Sequence, residues 1–193
     1  MILDDNMNRC SWVSDDIHIK YHDTEWGVPL HDDKKLFEFL ILDGMQSGLS
    51  WKIILNKRSS FKKAFNNFDP KKISKYTKKD VDRLLLDKGI IRNRKKIESI
   101  INNSIKFLET KKAFKTFDSY IWSFSNYETK KNRFQKWSEI PTFSKESEKM
   151  SIDMKTRGFT FVGPIVCYAF MQTVGLVNDH IMTCFRYDEV DKI

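Results

Sequence analysis

The sequence predicts an all-α fold, a compact helical unit with two lobes. Apolar residues recur at helical intervals in segment after segment, and seven Gly and four Pro in 193 residues are too few for a turn-rich sheet protein. With 40% hydrophobic and 13% aromatic residues, a chain of this length can bury one good-sized core, which excludes a disordered chain. No internal repeat or low-complexity linker interrupts it, so residues 1–193 read as a single domain with 1–6 as a short N-terminal extension.

Taken in order, Leu36, Phe37, Leu40 and Ile41 mark a first helix, with Asp32 and Asp33 favouring its N-terminal end. Gly44 and Gly48 punctuate a turn, and the next helix begins near Ser50, with Phe61 and Phe65 sharing a face. Asp69 before Pro70 reads as a cap with proline in the first turn. Thr77 with Asp80 resembles a capping box, opening a helix that carries Val81, Leu84 and Leu85 and stops near Gly89. Ile97, Ile100, Ile101 and Ile105, then Phe117, Tyr120, Ile121 and Phe124, follow at helical intervals. Residues 129–147 read as a polar loop in which a helix restarts. Gly163-Pro164 opens a last apolar helix that ends at Gly175.

Composition narrows the function. The longest mostly apolar stretch, Phe161 to Met171, is broken by Gly163 and Pro164 and is too short to span a bilayer. The first residues, Met1-Ile2-Leu3-Asp4-Asp5-Asn6, do not form a secretory signal, so a cytoplasmic protein without a membrane partner is expected. Nothing in the sequence calls for a stable oligomer, and a monomer is expected. The net charge of +8 is unevenly spread: Lys52 to Lys136 holds 24 Lys and Arg against 8 Asp and Glu, a balance of +16, and the remainder balances at −8. Coding bias explains Lys over Arg but not why the acids cluster elsewhere, so a nucleic-acid partner is favoured over a merely solvated surface. Within the basic middle, Leu84 to Ile97 joins two helices through Gly89. Lys88, Arg92, Arg94, Lys95 and Lys96 surround the start of the second helix. The segment resembles a helix-hairpin-helix DNA-backbone module that lacks the usual second glycine, and Lys88, Gly89, Arg92, Arg94 and Lys95 are its candidate phosphate contacts.

Two couples of metal-ligand type lie near the chain ends, Cys10 with His22 and His180 with Cys184. Together they offer a Cys2His2 set that would close a structural zinc site with no open position. Spacing alone leaves His18 and His31 as equally available imidazoles. Three cysteines are an odd count, which suits a reduced compartment and a metal better than a disulfide framework, with Cys167 as plain core. Trp12, Tyr21, Trp26 and Trp51 crowd the first quarter, interleaved with Glu25, Asp43 and Gln46. Aromatics bracketing a polar group suit a pocket that stacks a flat ring and reads its edge. Asp43 follows an apolar helical run, so it is either exposed at the helix end or functional.

These residues lie in the segments Arg9-Cys10-Ser11-Trp12-Val13, Tyr21-His22-Asp23, Glu25-Trp26-Gly27-Val28-Pro29, Gly48-Leu49-Ser50-Trp51 and Gly89-Ile90-Ile91-Arg92. Arg157-Gly158-Phe159, Phe161-Val162-Gly163 and Gly175-Leu176-Val177-Asn178-Asp179-His180 complete the series. In this order and spacing, from about Met7 to Cys184, the chain resembles the DNA-3-methyladenine glycosylase I family. The resemblance implies a helix-hairpin-helix-type repair glycosylase acting on double-stranded DNA that contains alkylated bases. It implies a structural zinc on Cys10, His22, His180 and Cys184 that joins the chain ends. It also implies a pocket in which Trp51 stacks on the extruded base, Tyr21 and Asp43 hydrogen-bond to it, and Trp12 and Trp26 line the site. The family usually has Glu where this chain has Asp43, a reach shorter by about 1.5 Å, which bears on selectivity more than on reaction class. Excision without a lysine nucleophile is expected to leave an abasic site, with Leu49 as the wedge that fills the gap left by the flipped nucleotide. The alternatives are a zinc-containing DNA-binding module without chemistry, or a glycosylase with altered choice among alkylated bases.

Overall fold

The computed structural model describes residues 7–192, so the extension 1–6 lies outside the described residues. Helix α1 (Asp16–Thr24) is capped by Asp15, and α2 (Asp33–Gln46) by Asp32, whose side chain accepts from the Lys35 N–H at 2.8 Å. Helix α2 is buried on every side over 36–43, where all residues but Glu38 and Asp43 are apolar. It packs against α3 (Trp51–Ala64), α6 (Arg94–Phe114), α7 (Phe117–Trp122) and α9 (Pro164–Thr173), and so forms the axis of the core. Phe37, Phe107 and Phe117 fill the junction of α2, α6 and α7, with ring centroids 4.9 and 4.5 Å apart. The short α4 (Pro70–Ile73) starts as expected, with Asp69 accepting from the Lys71 and Lys72 N–H groups. Helix α8 (Lys145–Thr156) packs along α9.

The structure corrects several expectations. Gly44 lies inside α2, not in the turn, because the apolar stripe carries the helix on to Gln46. Helix α5 (Lys78–Leu86) stops before Gly89, since Asp87 is already extended and its carboxylate takes the Gly89 N–H at 2.7 Å. Ile105 is exposed; the buried stripe of α6 runs through Ile97, Ile100, Ser104 and Phe107. Phe124 falls beyond α7 in a single 3-10 turn. The polar loop holds a two-residue strand, β1 (Lys130–Lys131), paired in parallel with β2 (Val177–Asn178), and a short helix α10 (Arg186–Glu189) follows the expected last one. A helix the sequence reading did not mark, α1, carries His22. Among the described residues, no helix is long and apolar enough to cross a membrane.

The join between the chain's two ends is tight at Gly175. Its φ is +77°, and a Cβ there would lie 2.5 Å from the Pro29 nitrogen and the Val28 carbonyl carbon. Backbone bonds from Gly27 N–H to Gln172 O (3.0 Å) and from Leu30 N–H to Val174 O (3.1 Å) hold the two segments together. Gly175→Ala must therefore separate two hydrogen-bonded backbones while adopting a left-handed φ. It is expected to cost about 3 kcal/mol or more and to lower Tm by roughly 6–12 °C, as thermal melts will show.

Candidate functional site

Cys10, His22, His180 and Cys184 converge in the buried interior, with one ligand atom from each lying within 4.8 Å of the others. The last couple sits on a tight turn closed by Cys184 N–H to Ile181 O at 2.7 Å. The sulfur-to-nitrogen separations are 3.8 Å (Cys10 to His180), 3.4 Å (Cys184 to His22) and 3.5 Å (Cys184 to His180). A tetrahedral ion with bonds of about 2.3 Å to sulfur and about 2.0 Å to nitrogen has S···N edges of about 3.5 Å, so the spacing fits. The outer contacts fit too. His22 Nδ1 lies 2.7 Å from the Asp23 carboxylate, itself gripped by Arg9 at 2.8 Å, and His180 Nε2 lies 3.1 Å from the Trp26 carbonyl. Each acceptor calls for a proton on that nitrogen, which leaves the other nitrogen's lone pair facing the cluster. The Cys10 hydrogen bond draws the Cys184 thiol well below its ordinary pKa, while the same bond and burial push Cys10 up. Gly27 leaves room for this arrangement, since a Cβ there would lie 3.0 Å from His180 Nε2. The two spare imidazoles are occupied elsewhere: His18 contacts Ser14 at 3.0 Å, and His31 pairs with Asp118 at 2.8 Å while stacking on Trp122.

Directly beside this cluster lies an aromatic cleft of about 200 Å³. Trp26 belongs to both: its ring meets His180 at 4.6 Å and also lines the cleft, as does Trp12, which meets His22 at 5.5 Å. Trp51, the first residue of α3, stands 5.3 Å from Tyr21, and Trp137 completes the wall at 6.2 Å from both Trp12 and Trp26. Of the two options left by the sequence, exposure of Asp43 is excluded. It is 2% exposed, lines the cleft, and its Oδ2 finds no hydrogen-bond partner among the described residues. Burial alone pushes its pKa well above the ordinary carboxylate value. The Tyr21 hydroxyl donates to Thr173 Oγ1 at 3.0 Å, so its oxygen remains an acceptor. Burial and then Asp43 push its pKa up. Such a cleft can stack a flat ring, and a cation placed in it would favour ionisation of the isolated carboxyl group.

The cleft also contains residues the sequence did not single out. Gln172 and Thr173 were visible only as two polar residues closing an apolar helical run, and Ala169 and Trp137 carried no periodic signal.

Lys88, Arg92, Arg94 and Lys95 are exposed around the turn between α5 and α6, with Gly89 half-buried in it. Lys57 stiffens the turn by donating to the Lys88 and Gly89 carbonyls at 3.0 and 3.3 Å, and lines a shallow groove with Lys88 and Arg92. Arg94 is paired with Asp82 at 2.9 Å. Lys96 is not on this face. It is buried and donates to the Met45 and Ser47 carbonyls at 2.8 and 2.6 Å, capping the end of α2, and burial lowers its pKa. That bond ties the α5–α6 turn to the 47–50 turn, on which Leu49 is half-buried between exposed neighbours.

Known proteins resemble this chain in both sequence and fold. The family described as methyladenine glycosylase matches residues 12–187. The DNA-3-methyladenine glycosylase 1 of Escherichia coli (strain K12) is 47% identical over 182 residues, covering 94% of this chain and 97% of that one. A crystal structure of a 3-methyladenine DNA glycosylase I superposes with a TM-score of 0.90 at 45% identity, covering 92% of this chain and 98% of the other. A second, of a variant glycosylase I in complex with 3-methyladenine, gives a TM-score of 0.90 at 34% identity over 93% and 97% of the two chains.

Proposed function

The chain belongs to the methyladenine glycosylase family, and from that premise we propose how its residues perform the excision. The activity is release of 3-methyladenine from DNA by cleavage of the N-glycosyl bond. The carrying observation is Asp43, a buried carboxyl group whose Oδ2 has no hydrogen-bond partner among the described residues, in a cleft walled by tryptophans. Leaving such a group unpaired is costly unless a ligand completes it. Residues 1–193 would act as a single glycosylase domain and as a monomer. A DNA substrate and cysteines that form no disulfide suit the cytoplasm.

The flipped base enters between the aromatic side chains, with Trp51 stacking on its ring and Trp12 and Trp26 forming the walls. Methylation at N3 leaves the base cationic while it is still attached. Asp43 loses its proton to solvent against that charge and accepts a hydrogen bond from the base edge, and the Tyr21 oxygen, whose hydroxyl donates to Thr173, is a second acceptor. As the bond from C1′ to the base breaks, its electron pair neutralises the ring, so no strong general acid is required. Water adds to the oxocarbenium-like C1′ and loses a proton to solvent, leaving an abasic site. Among the described residues lining the cleft none is a lysine, which favours hydrolysis without a Schiff base and hence a monofunctional enzyme. The test is chromatography of free bases from methylated duplex DNA: 3-methyladenine should appear without strand cleavage, and its absence with folded protein would refute the reading.

The α5–α6 turn would act as a helix-hairpin-helix phosphate clamp, with Lys88, Gly89, Arg92, Arg94 and Lys95 on the backbone. Replacing Lys88 and Arg92 together by alanine should weaken binding uniformly across sequences and reduce the slope of log K against log salt by about 2, as titrations at several salt concentrations will report. Leu49 would enter the gap left in the duplex. Leu49→Ala should lower excision from duplex DNA about 10-fold or more while leaving free-base binding intact; equal loss of both would remove the wedge role. The two-lobed division would place α3 to α6 in one lobe and the joined chain ends in the other, with the base cleft between them.

The Cys2His2 cluster would hold one structural zinc ion. Four protein ligands leave no position for water, so the ion would supply rigidity beneath Trp12 and Trp26 and take no part in the reaction.

A further inference from the structure

We propose that Gln172 is a further base-reading residue, its Oε1 accepting a hydrogen bond from the exocyclic amine of the extruded adenine. The proposal rests on the excision reading above. Gln172 lies in the last turn of α9, next to Thr173, and its side chain lines the cleft. Its Nε2 donates to Asp179 Oδ2 at 2.7 Å. Asp179 is buried and takes two further donors, the Tyr168 hydroxyl at 2.7 Å on the same oxygen and Asn132 Nδ2 at 2.6 Å on the other.

A carboxylate receiving three donors accepts from each of them, so the face of the Gln172 amide turned to Asp179 is the NH2. The carbonyl is left for the cleft. Reversing the amide would set oxygen against oxygen and leave Asp179 short of a donor inside the protein, which costs on the order of 1–3 kcal/mol. Asp179 therefore fixes which atom Gln172 offers and is a positioning residue. The Gln172 main chain is fixed as well, since its carbonyl accepts from the Gly27 N–H at 3.0 Å.

The chemistry of the base matches this polarity. While bonded to the sugar, 3-methyladenine carries N–H only on its exocyclic amine; N1 and N7 are acceptors. Tyr21 and Gln172, two neutral polar groups whose orientation is fixed by a partner, both present oxygen, and Asp43 adds a carboxylate. Asp43 reaches in from α2 and Gln172 from α9, with the Tyr21 oxygen sharing the hydrogen that Asp43 accepts, so the two amine hydrogens have acceptors on different elements. A base with a carbonyl in place of the amine would turn its oxygen toward these oxygens and be rejected.

The test is competition binding of free 3-methyladenine and 3-methylhypoxanthine, which differ at this position, alongside release of 3-methyladenine from methylated DNA. The parent should prefer 3-methyladenine by at least about 10-fold, and Gln172→Leu should reduce that preference about 10-fold, equivalent to about 1.4 kcal/mol. Gln172→Met, unbranched and of similar length, gives the same readout should the leucine variant fail to fold. Asp179→Asn should reduce the preference in the same direction. A preference unchanged in the Gln172 variants, or both bases weakened by one common factor, would overturn the proposal. Failure of the parent to release 3-methyladenine would instead sink the excision reading, and this inference with it.

Discussion

Asp43→Asn is expected to lower 3-methyladenine release from methylated duplex DNA by about 100-fold or more while the protein stays folded. The variant keeps the volume and one acceptor oxygen but cannot carry the negative charge that the cleft sets against a cationic base. Its effect on stability should be opposite in sign. The Asp43 pKa is raised in the folded state, so the neutral form is the one folding favours. That favourable contribution is fully present below the unfolded value near 3.8 and is lost as pH rises toward the folded value. Asparagine never ionises, so in the free protein the variant should gain stability over the parent as pH rises through this range. Denaturant melts at pH 4 and pH 7 will read this crossover together with the activity loss. A variant equally active at neutral pH would remove Asp43 from the reaction.

Cys184→Ala is expected to have the larger effect on folding. Cys184 contacts both imidazoles of the cluster, and its loss would leave an incomplete ligand set under Trp12 and Trp26. Metal analysis of the parent, prepared reduced and without chelator, should find about one zinc per chain. The variant should hold little or none, with Tm lower by about 10 °C or more. Chelation of the parent should reproduce the shift, and readdition of zinc should reverse it. A metal-free parent with unchanged stability would refute the structural zinc.

The same two features show how far the sequence carried. The Cys/His set was legible because metal-ligand residue types are scarce, although only the fold removed His18 and His31 from contention, by giving each its own partner. Half of the cleft was legible because Trp12, Tyr21, Trp26, Asp43 and Trp51 are close in sequence and unusual in type. The other half arrives from α9 and from the loop at Trp137, brought in by long-range packing that no local pattern encodes. Lys96 shows the opposite limit: read as one more cation on a basic turn, it is instead buried as the cap of α2. Its neighbours Arg94 and Lys95 do lie on the surface. Helix positions followed from periodicity, but the parallel pairing of β1 with β2 could not, since two residues are too few to set a period of their own.

The most direct measurement is a titration of free 3-methyladenine into the parent and Asp43→Asn, followed by tryptophan fluorescence. A ring stacked on Trp51 and walled by Trp12 and Trp26 should quench emission with one site per chain. Loss of the carboxylate should weaken that site about 10-fold or more. Quenching with the same affinity in both proteins, or none in the parent, would contradict the assignment of this cleft and of Asp43 as the place where the base is held.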